Sequence, residues 1–176
     1  HTNGDIVRYN NGTEAGAWAL TEENSGRLNS TVTFTTVEIL EGGAGGNTLT
    51  ARNTANDWQL AALADGGFTV DGVRFTGMDV LEGNADVDTF TISEDFAGEI
   101  YGFGSDDVFN IEANVSAVYG GNETDIFVVK DAAAGTVIDG EAGNDTLTLD
   151  SASNAEWELR GGSSTLVVDS SAMATS

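Results

Sequence analysis

Pairs of apolar residues two positions apart recur along this chain, each preceded by a glycine and by an Asp or Asn. The full pattern is an apolar residue, any residue, Gly, four residues, Asp or Asn, any residue, apolar, any residue, and a second apolar or small residue. It occurs at 40–51, 81–92, 100–111, 118–129 and 138–149. Residues two apart on a strand share a face, so each copy predicts two short strands joined by a corner.

The spacing of the copies predicts how these strands pack. The corner residues are 41, 19, 18 and 20 positions apart, the first interval being close to two of the others: Asn47, Asp88, Asp107, Asp125 and Asp145. One strand–corner–strand unit cannot bury its apolar face alone, whereas stacked units can. We therefore predict an all-β fold, a right-handed parallel β-solenoid with about 18–20 residues per turn. It would form one domain over 1–176, with about eight or nine turns. A β-sandwich or meander with similar hairpins is the alternative.

This interpretation makes specific predictions about side chains. Inward hydrophobes of successive turns should lie in a single file: Phe90, Phe109, Phe127 and Leu147. The glycines should supply the positive φ of a tight corner, and the Asp or Asn should bond the local backbone. The 41-residue interval should hold an extra turn that carries a tryptophan.

The aromatic residues allow two interpretations. Trp18, Trp58 and Trp157 recur with the longer repeat, which favours core filling over a platform for sugars or a partner. Tyr101 and Tyr119 directly follow inward residues, so they should point outward as an exposed ladder. An adhesive surface at this ladder is a further hypothesis.

Composition excludes several functions. The chain has 6 Lys plus Arg against 29 Asp plus Glu, a net charge of −23, which disfavours nucleic acid and anionic membranes as partners. With no Cys and a single His at position 1, zinc and thiol chemistry are excluded. There is no Gly-x-Ser-x-Gly elbow, and the cations are scattered: Arg8, Arg27, Arg52, Arg74, Lys130 and Arg160. We expect no enzyme activity; a β-helical enzyme acting on polysaccharides is the main enzymatic alternative.

Stacking would bring the corner carboxylates together. Neighbours about 5 Å apart would repel by about 3 kcal/mol at an effective dielectric near 20, before screening. Calcium would relieve this, so the candidate metal ligands are Asp88, Asp107, Asp125 and Asp145, with further loop carboxylates at Asp86, Asp106, Glu123 and Glu141. The alternative is that each carboxylate accepts backbone N–H groups and points partly to water. Asn47 favours this alternative, because a neutral amide serves in one copy.

Two of the corners resemble a known repeat. Residues 140–147, Gly-Glu-Ala-Gly-Asn-Asp-Thr-Leu, and 42–49, Gly-Gly-Ala-Gly-Gly-Asn-Thr-Leu, resemble the Gly-Gly-x-Gly-x-Asp-x-Leu unit of RTX-type calcium-binding repeats. The longer Trp…Phe…Leu-x-Gly arrangement, over about 18–160, resembles the degenerate repeats of filamentous-haemagglutinin-like and other large bacterial surface exoproteins. RTX repeats carry the unit every nine residues on both sides of a turn, whereas here it appears once per 18–20.

The resemblance implies an extracellular or cell-surface protein with a role in adhesion or biofilm matrix. We expect a structural or adhesive module that is a segment or subunit of a larger extracellular assembly. Its expected partners are flanking repeats of the same chain, further copies of itself stacked end to end into a filament, or surface glycans. A calcium-stabilised RTX-like module is the alternative function.

Overall fold

A computed structural model describes residues 4–64, 66–130, 136–150 and 165–168. Eighteen β-strands make up the regular structure of these residues, which contain no helix. The all-β prediction is confirmed. The strands are β1 (Ile6–Arg8), β2 (Ala17–Glu22), β3 (Ser25–Leu28), β4 (Val32–Phe34), β5 (Ile39–Glu41), β6 (Thr48–Thr50), β7 (Asp57–Leu60), β8 (Phe68–Val70), β9 (Val73–Thr76), β10 (Val80–Asn84), β11 (Thr89–Ile92), β12 (Phe96–Phe103), β13 (Val108–Ile111), β14 (Val115–Asn122), β15 (Ile126–Lys130), β16 (Val137–Ala142), β17 (Thr146–Asp150) and β18 (Thr165–Val168).

The strands form two mixed sheets. The ten-stranded sheet has the order β1-β5-β9-β8-β7-β11-β13-β15-β17-β18, and the eight-stranded sheet has the order β16-β14-β12-β10-β6-β2-β3-β4. From β10 to β17 the chain alternates strictly between the two sheets. Within each sheet, every strand of this region pairs in parallel with the strand two elements later. We refer to one passage through both sheets as a coil.

The inward hydrophobes align as expected. Phe90 pairs with Phe109, Phe109 with Phe127, and Phe127 with Leu147, so the predicted single file is confirmed. Trp58 precedes Phe90 in the same file. The rings of Phe90 and Phe109 lie 5.0 Å apart at 6°, and those of Phe109 and Phe127 lie 4.9 Å apart at 7°. Such offset stacking adds about 0.5–1.5 kcal/mol per pair to the area buried.

The tryptophans belong to this core. Trp18 is 1% exposed and Trp58 is 0% exposed, so core filling is confirmed for both. Trp58 stacks on Phe90 with ring centroids 5.3 Å apart and meets Phe75 edge to face. Trp157 lies outside the described residues.

Two antiparallel meanders interrupt the coils. Strands β2, β3 and β4 form one, and β7, β8 and β9 form the other. The predicted extra turn does carry Trp58, since β7 pairs in parallel with β11. It also holds a hairpin that was not predicted, because β8 and β9 fold back within one sheet. Asp71 and Gly72 form the tight β8–β9 connection with positive φ at both positions. Asp-Gly between apolar runs is a strong hairpin signal, and it was available in the sequence.

The meander also displaces the first copy of the repeat. Leu49 follows Asn47 on β6 of the eight-stranded sheet, whereas Phe90 follows Asp88 on β11 of the ten-stranded sheet. The 41-residue interval therefore holds about one and a half coils and a hairpin, rather than two coils. Asn47 lies at the opposite corner from the four aspartates.

Candidate functional site: the corner ladder

The four predicted aspartates occupy one corner of the stack. Each directly precedes a strand of the ten-stranded sheet: Asp88 precedes β11, Asp107 β13, Asp125 β15 and Asp145 β17. Because these strands pair in register, the side chains form the predicted column. All four are 0% exposed, so the expectation that they point partly to water is wrong.

Hydrogen bonds run along this column from coil to coil. The backbone N–H of Asp88 donates to Oδ1 of Asp107 at 2.7 Å, and that of Asp107 donates to Oδ1 of Asp125 at 2.8 Å. The N–H of Asp125 donates to Oδ1 of Asp145 at 3.1 Å. Each carboxylate thus satisfies a buried amide of the preceding coil, at a corner where the strand ladder itself is interrupted.

Asn56 is a fifth member that the sequence pattern missed. Its backbone N–H and its Nδ2 both donate to Oδ1 of Asp88, at 2.8 and 2.6 Å. The pattern required glycine five residues earlier, and Ala51 stands there instead. A pattern that allows any small residue at this position includes Asn56, because Trp58 and Leu60 follow it with the expected spacing. We call Asn56, Asp88, Asp107, Asp125 and Asp145 the corner ladder.

The repeat glycines make room for the corner ladder. A Cβ built on Gly83, Gly102, Gly120 or Gly140 would lie less than 3.0 Å from Oδ2 of the aspartate five residues later. None of these four has positive φ, so the predicted reason for the glycines is wrong. The positive φ falls on the next residue in each coil, as at Phe103 (77°) and Glu141 (59°). The Gly-x4-Asp spacing therefore reflects a close approach rather than a backbone conformation.

The second carboxylate oxygen is in an unusual environment. Oδ2 of Asp88, Asp107 and Asp125 is buried and has no hydrogen-bond partner among the described residues. Burial raises the pKa of these carboxyls to about 6, 8 and 7, respectively, against the opposing effect of the hydrogen bonds to Oδ1. Neighbouring carboxylates raise the pKa values further.

Asn47 shows the same corner chemistry in neutral form. Its Oδ1 accepts the N–H of Gly16 at 3.1 Å. Its Nδ2 donates to the carbonyl oxygens of Gly43, Gly45 and Gly77, at 3.0, 2.6 and 3.0 Å. An NH₂ group here has three acceptors around it.

The carboxylate oxygens of this corner already have backbone partners. Each aspartate Oδ1 accepts an amide N–H, and two of the exposed loop carboxylates also bond the backbone. Asp106 accepts the N–H of Thr124 at 2.9 Å, and Glu123 accepts that of Ser105 at 3.1 Å. Among the described residues, no group of three or more His, Cys, Asp or Glu is arranged to hold a metal. The contacts of Oδ1 are those that the backbone-bonding alternative predicts, and calcium binding stays a prediction.

The cations lie apart from the corner ladder. Arg8 pairs with Glu41, Arg52 with Asp71, and Lys130 with Glu112. Arg74 donates to the carbonyl oxygen of Gly66 at 2.6 Å. Three of the scattered cations thus pair with carboxylates outside the corner ladder.

The predicted tyrosine ladder is present but only half exposed. Tyr101 pairs with Tyr119 in register, and their rings stack 4.6 Å apart at 11°. Tyr101 donates to Oε2 of Glu99 at 2.8 Å. Burial, followed by this hydrogen bond and the adjacent Glu99 charge, raises the pKa of Tyr101 to about 12. The phenol therefore stays protonated in any physiological medium.

None of the described residues belongs to a helix long and apolar enough to cross a membrane. Comparison with protein-family models, with curated proteins and with solved structures finds no match to this chain.

Proposed function

We propose that this chain is a right-handed β-solenoid segment with a structural or adhesive role in a larger extracellular assembly. The observation that carries the proposal is the uninterrupted parallel pairing from β10 to β17, in which each strand pairs with the one 18–20 residues later. A stack of this kind has a long regular surface and no need of a central cavity. Repetitive scaffolds use that geometry to span distance or to present repeated contacts.

The structural roles of the buried aspartates and tryptophans support a scaffold function. The buried carboxylates bond backbone amides, and the two described tryptophans fill the core. Catalysis by paired carboxylates needs two groups that both face a substrate. The corner ladder aspartates are fully buried, and we propose that the protein is not an enzyme.

The high acidity fits an extracellular medium. With a net charge of −23, the chain benefits from the screening that a salty or calcium-containing exterior provides. The proposed partners are flanking repeats of the same chain or further copies stacked at the ends, since the outermost strands of the described sheets offer unpaired edges. Surface glycans are a second class of partner, and the half-exposed Tyr101–Tyr119 stack is the place to test for them.

Light scattering coupled to size exclusion, with negative-stain imaging, tests the proposal. A subunit that self-assembles gives thin unbranched fibres whose length grows with concentration. A module from a longer chain gives a monodisperse elongated monomer with a large radius for its mass. A compact monomer with a spherical radius would contradict both forms of the scaffold proposal.

The calcium-stabilised, RTX-like module remains the second candidate. The observation in its favour is the column of Oδ2 atoms at Asp88, Asp107 and Asp125, which have no hydrogen-bond partner and could act as calcium ligands. Its test is the melting experiment given in the Discussion.

A further inference from the structure

We infer that the corner ladder is a proton-binding element: in mildly acidic media Asp88, Asp107 and Asp125 are neutral carboxylic acids in the folded protein, and each donates Oδ2–H to a glycine carbonyl of the next coil. The stack is then strongest in mildly acidic media and weakens as these protons leave. The inference is independent of the proposed adhesive role and concerns how the fold itself is held together.

The position of Oδ2 is the first observation. A Cβ built on Gly102 would lie within 3.0 Å of both Asp107 Oδ2 and the carbonyl oxygen of Gly120. A Cβ built on Gly83 would lie 2.2 Å from Asp88 Oδ2 and 2.9 Å from Gly102 O, and one built on Gly120 would lie 2.2 Å from Asp125 Oδ2 and 3.0 Å from Gly140 O. Two oxygens that border one small space repel if both are acceptors. They attract if one carries a hydrogen.

The protein contains its own reference for this geometry. A Cβ built on Gly42 would lie within 3.0 Å of both Asn47 Nδ2 and Gly77 O. These two atoms form a hydrogen bond of 3.0 Å. Asn47 therefore places a donor where the aspartates place Oδ2. The position calls for a donor, and an aspartate provides one only when protonated.

The surrounding charges favour the protonated form. The charged groups acting on Asp88 are Asp71 and Asp86, and those acting on Asp107 are Asp88, Asp106 and Asp125. Asp125 is influenced by Asp106, Glu123 and Asp145. Arg52, on the adjoining corner, is paired with Asp71. Desolvation dominates and raises the pKa of the three carboxyls to about 6, 8 and 7.

The direction of the pH dependence follows. An unfolded aspartate releases its proton near about pH 4, whereas the folded corner ladder holds it to higher pH. The folded state binds more protons between these limits, so stability falls as pH rises from about 4 through about 8. Most buried carboxylates that accept hydrogen bonds behave in the opposite way, losing stability as pH falls.

Carbon-13 NMR of the carboxyl carbons tests the inference on the unmodified protein. We expect three aspartate signals with midpoints above about pH 5.5, while exposed aspartates titrate near about pH 4. The variants Asp88→Asn, Asp107→Asn and Asp125→Asn assign the signals by removing them one at a time. If every aspartate titrates below about pH 5, the inference is wrong.

Thermal melting provides a second readout. In about 0.5 M NaCl, which screens surface repulsion, the wild-type Tm should fall by more than about 5 °C between about pH 5 and pH 9. Asp107→Asn should lose a clear part of that slope, because an amide donates at every pH. Glu94→Gln, an equal charge change at an exposed carboxylate that does not act on the corner ladder, should keep the wild-type slope. Equal slopes for the two variants would overturn the inference, as would calcium abolishing the high-pH titrations.

Discussion

The backbone N–H of Asp107 donates to Oδ1 of Asp125, which lies one coil later in the chain, at 2.8 Å. This bond closes a gap that parallel pairing leaves at the corner, where the chain turns from one sheet to the other. It requires the carboxyl group to lie against the backbone, and Gly120 provides the room. The bond explains why glycine and aspartate recur together at a fixed spacing.

We expect Gly102→Ala to destabilise the fold by about 2 kcal/mol or more, because its Cβ would overlap Asp107 Oδ2 and the rigid carbonyl of Gly120. Gly104→Ala is the matched control, since the nearest atom to its Cβ would be 3.6 Å away and its φ is not positive. That variant should stay within about 0.5 kcal/mol of the wild type. Urea unfolding measures both. Similar losses in the two variants would show that the glycine does not serve the corner ladder.

The aromatic residues of the regular coils are fully buried in one file: Phe90, Phe109 and Phe127. Phe109→Ala leaves a cavity between two stacked rings and should cost about 3–5 kcal/mol. Phe109→Leu should cost less than about 1.5 kcal/mol, because Leu147 already fills the same file further along the stack. A loss below about 1 kcal/mol for the alanine variant, measured by urea unfolding, would contradict a continuous core.

The register can be tested with disulfides, since the chain has no cysteine of its own. Thr91 pairs with Asn110, so Thr91→Cys with Asn110→Cys should oxidise readily across a strand spacing of about 4.8 Å. The control combines Thr91→Cys with Val128→Cys, one coil further, at roughly twice that spacing. Mass spectrometry should find an intramolecular bond only in the first pair. Equal yields would exclude the parallel register.

Glu141 occupies a left-handed backbone position with φ of 59°. In the neighbouring coil Gly121 stands at the paired position. Glu141→Gly relieves about 1–2 kcal/mol of backbone strain and adds about 0.5–1 kcal/mol of chain entropy cost, so we expect a net gain of about 0.5–1 kcal/mol. Glu141→Ala removes the same carboxylate and keeps the Cβ, so it should gain nothing. Identical urea unfolding midpoints for the two variants would show that the backbone of Glu141 is not strained.

The calcium hypothesis has a direct test. With Oδ1 of each aspartate bonded to an amide, we expect the same Tm in excess calcium and in chelator at matched ionic strength. Calcium at about 100 times its dissociation constant would add about 2.7 kcal/mol of stability. A calcium-specific rise in Tm that magnesium does not reproduce would assign the corner ladder to a metal.

The sequence predicted the parts of the fold that repeat. The file from Phe90 to Leu147 and the aspartate column follow from spacing alone, because one register error would turn every apolar side chain outward. The spacing of the repeat does not predict the two meanders, although Asp71-Gly72 is a hairpin signal for the second of them. Asn56 was missed because Ala51 replaces the expected glycine. The burial of Oδ2 in the corner ladder could not be predicted, since it depends on neighbouring coils together.

The corner ladder has a direction, because every amide donates toward the C-terminal coil and every carboxyl accepts from the N-terminal one. A stack built on such bonds is polar along its axis, because one end presents hydrogen-bond donors and the other end presents acceptors. Two copies that met by like ends would bring donor to donor or acceptor to acceptor. Growth of any assembly through this corner must therefore be head to tail, and the resulting filament would have two chemically different tips.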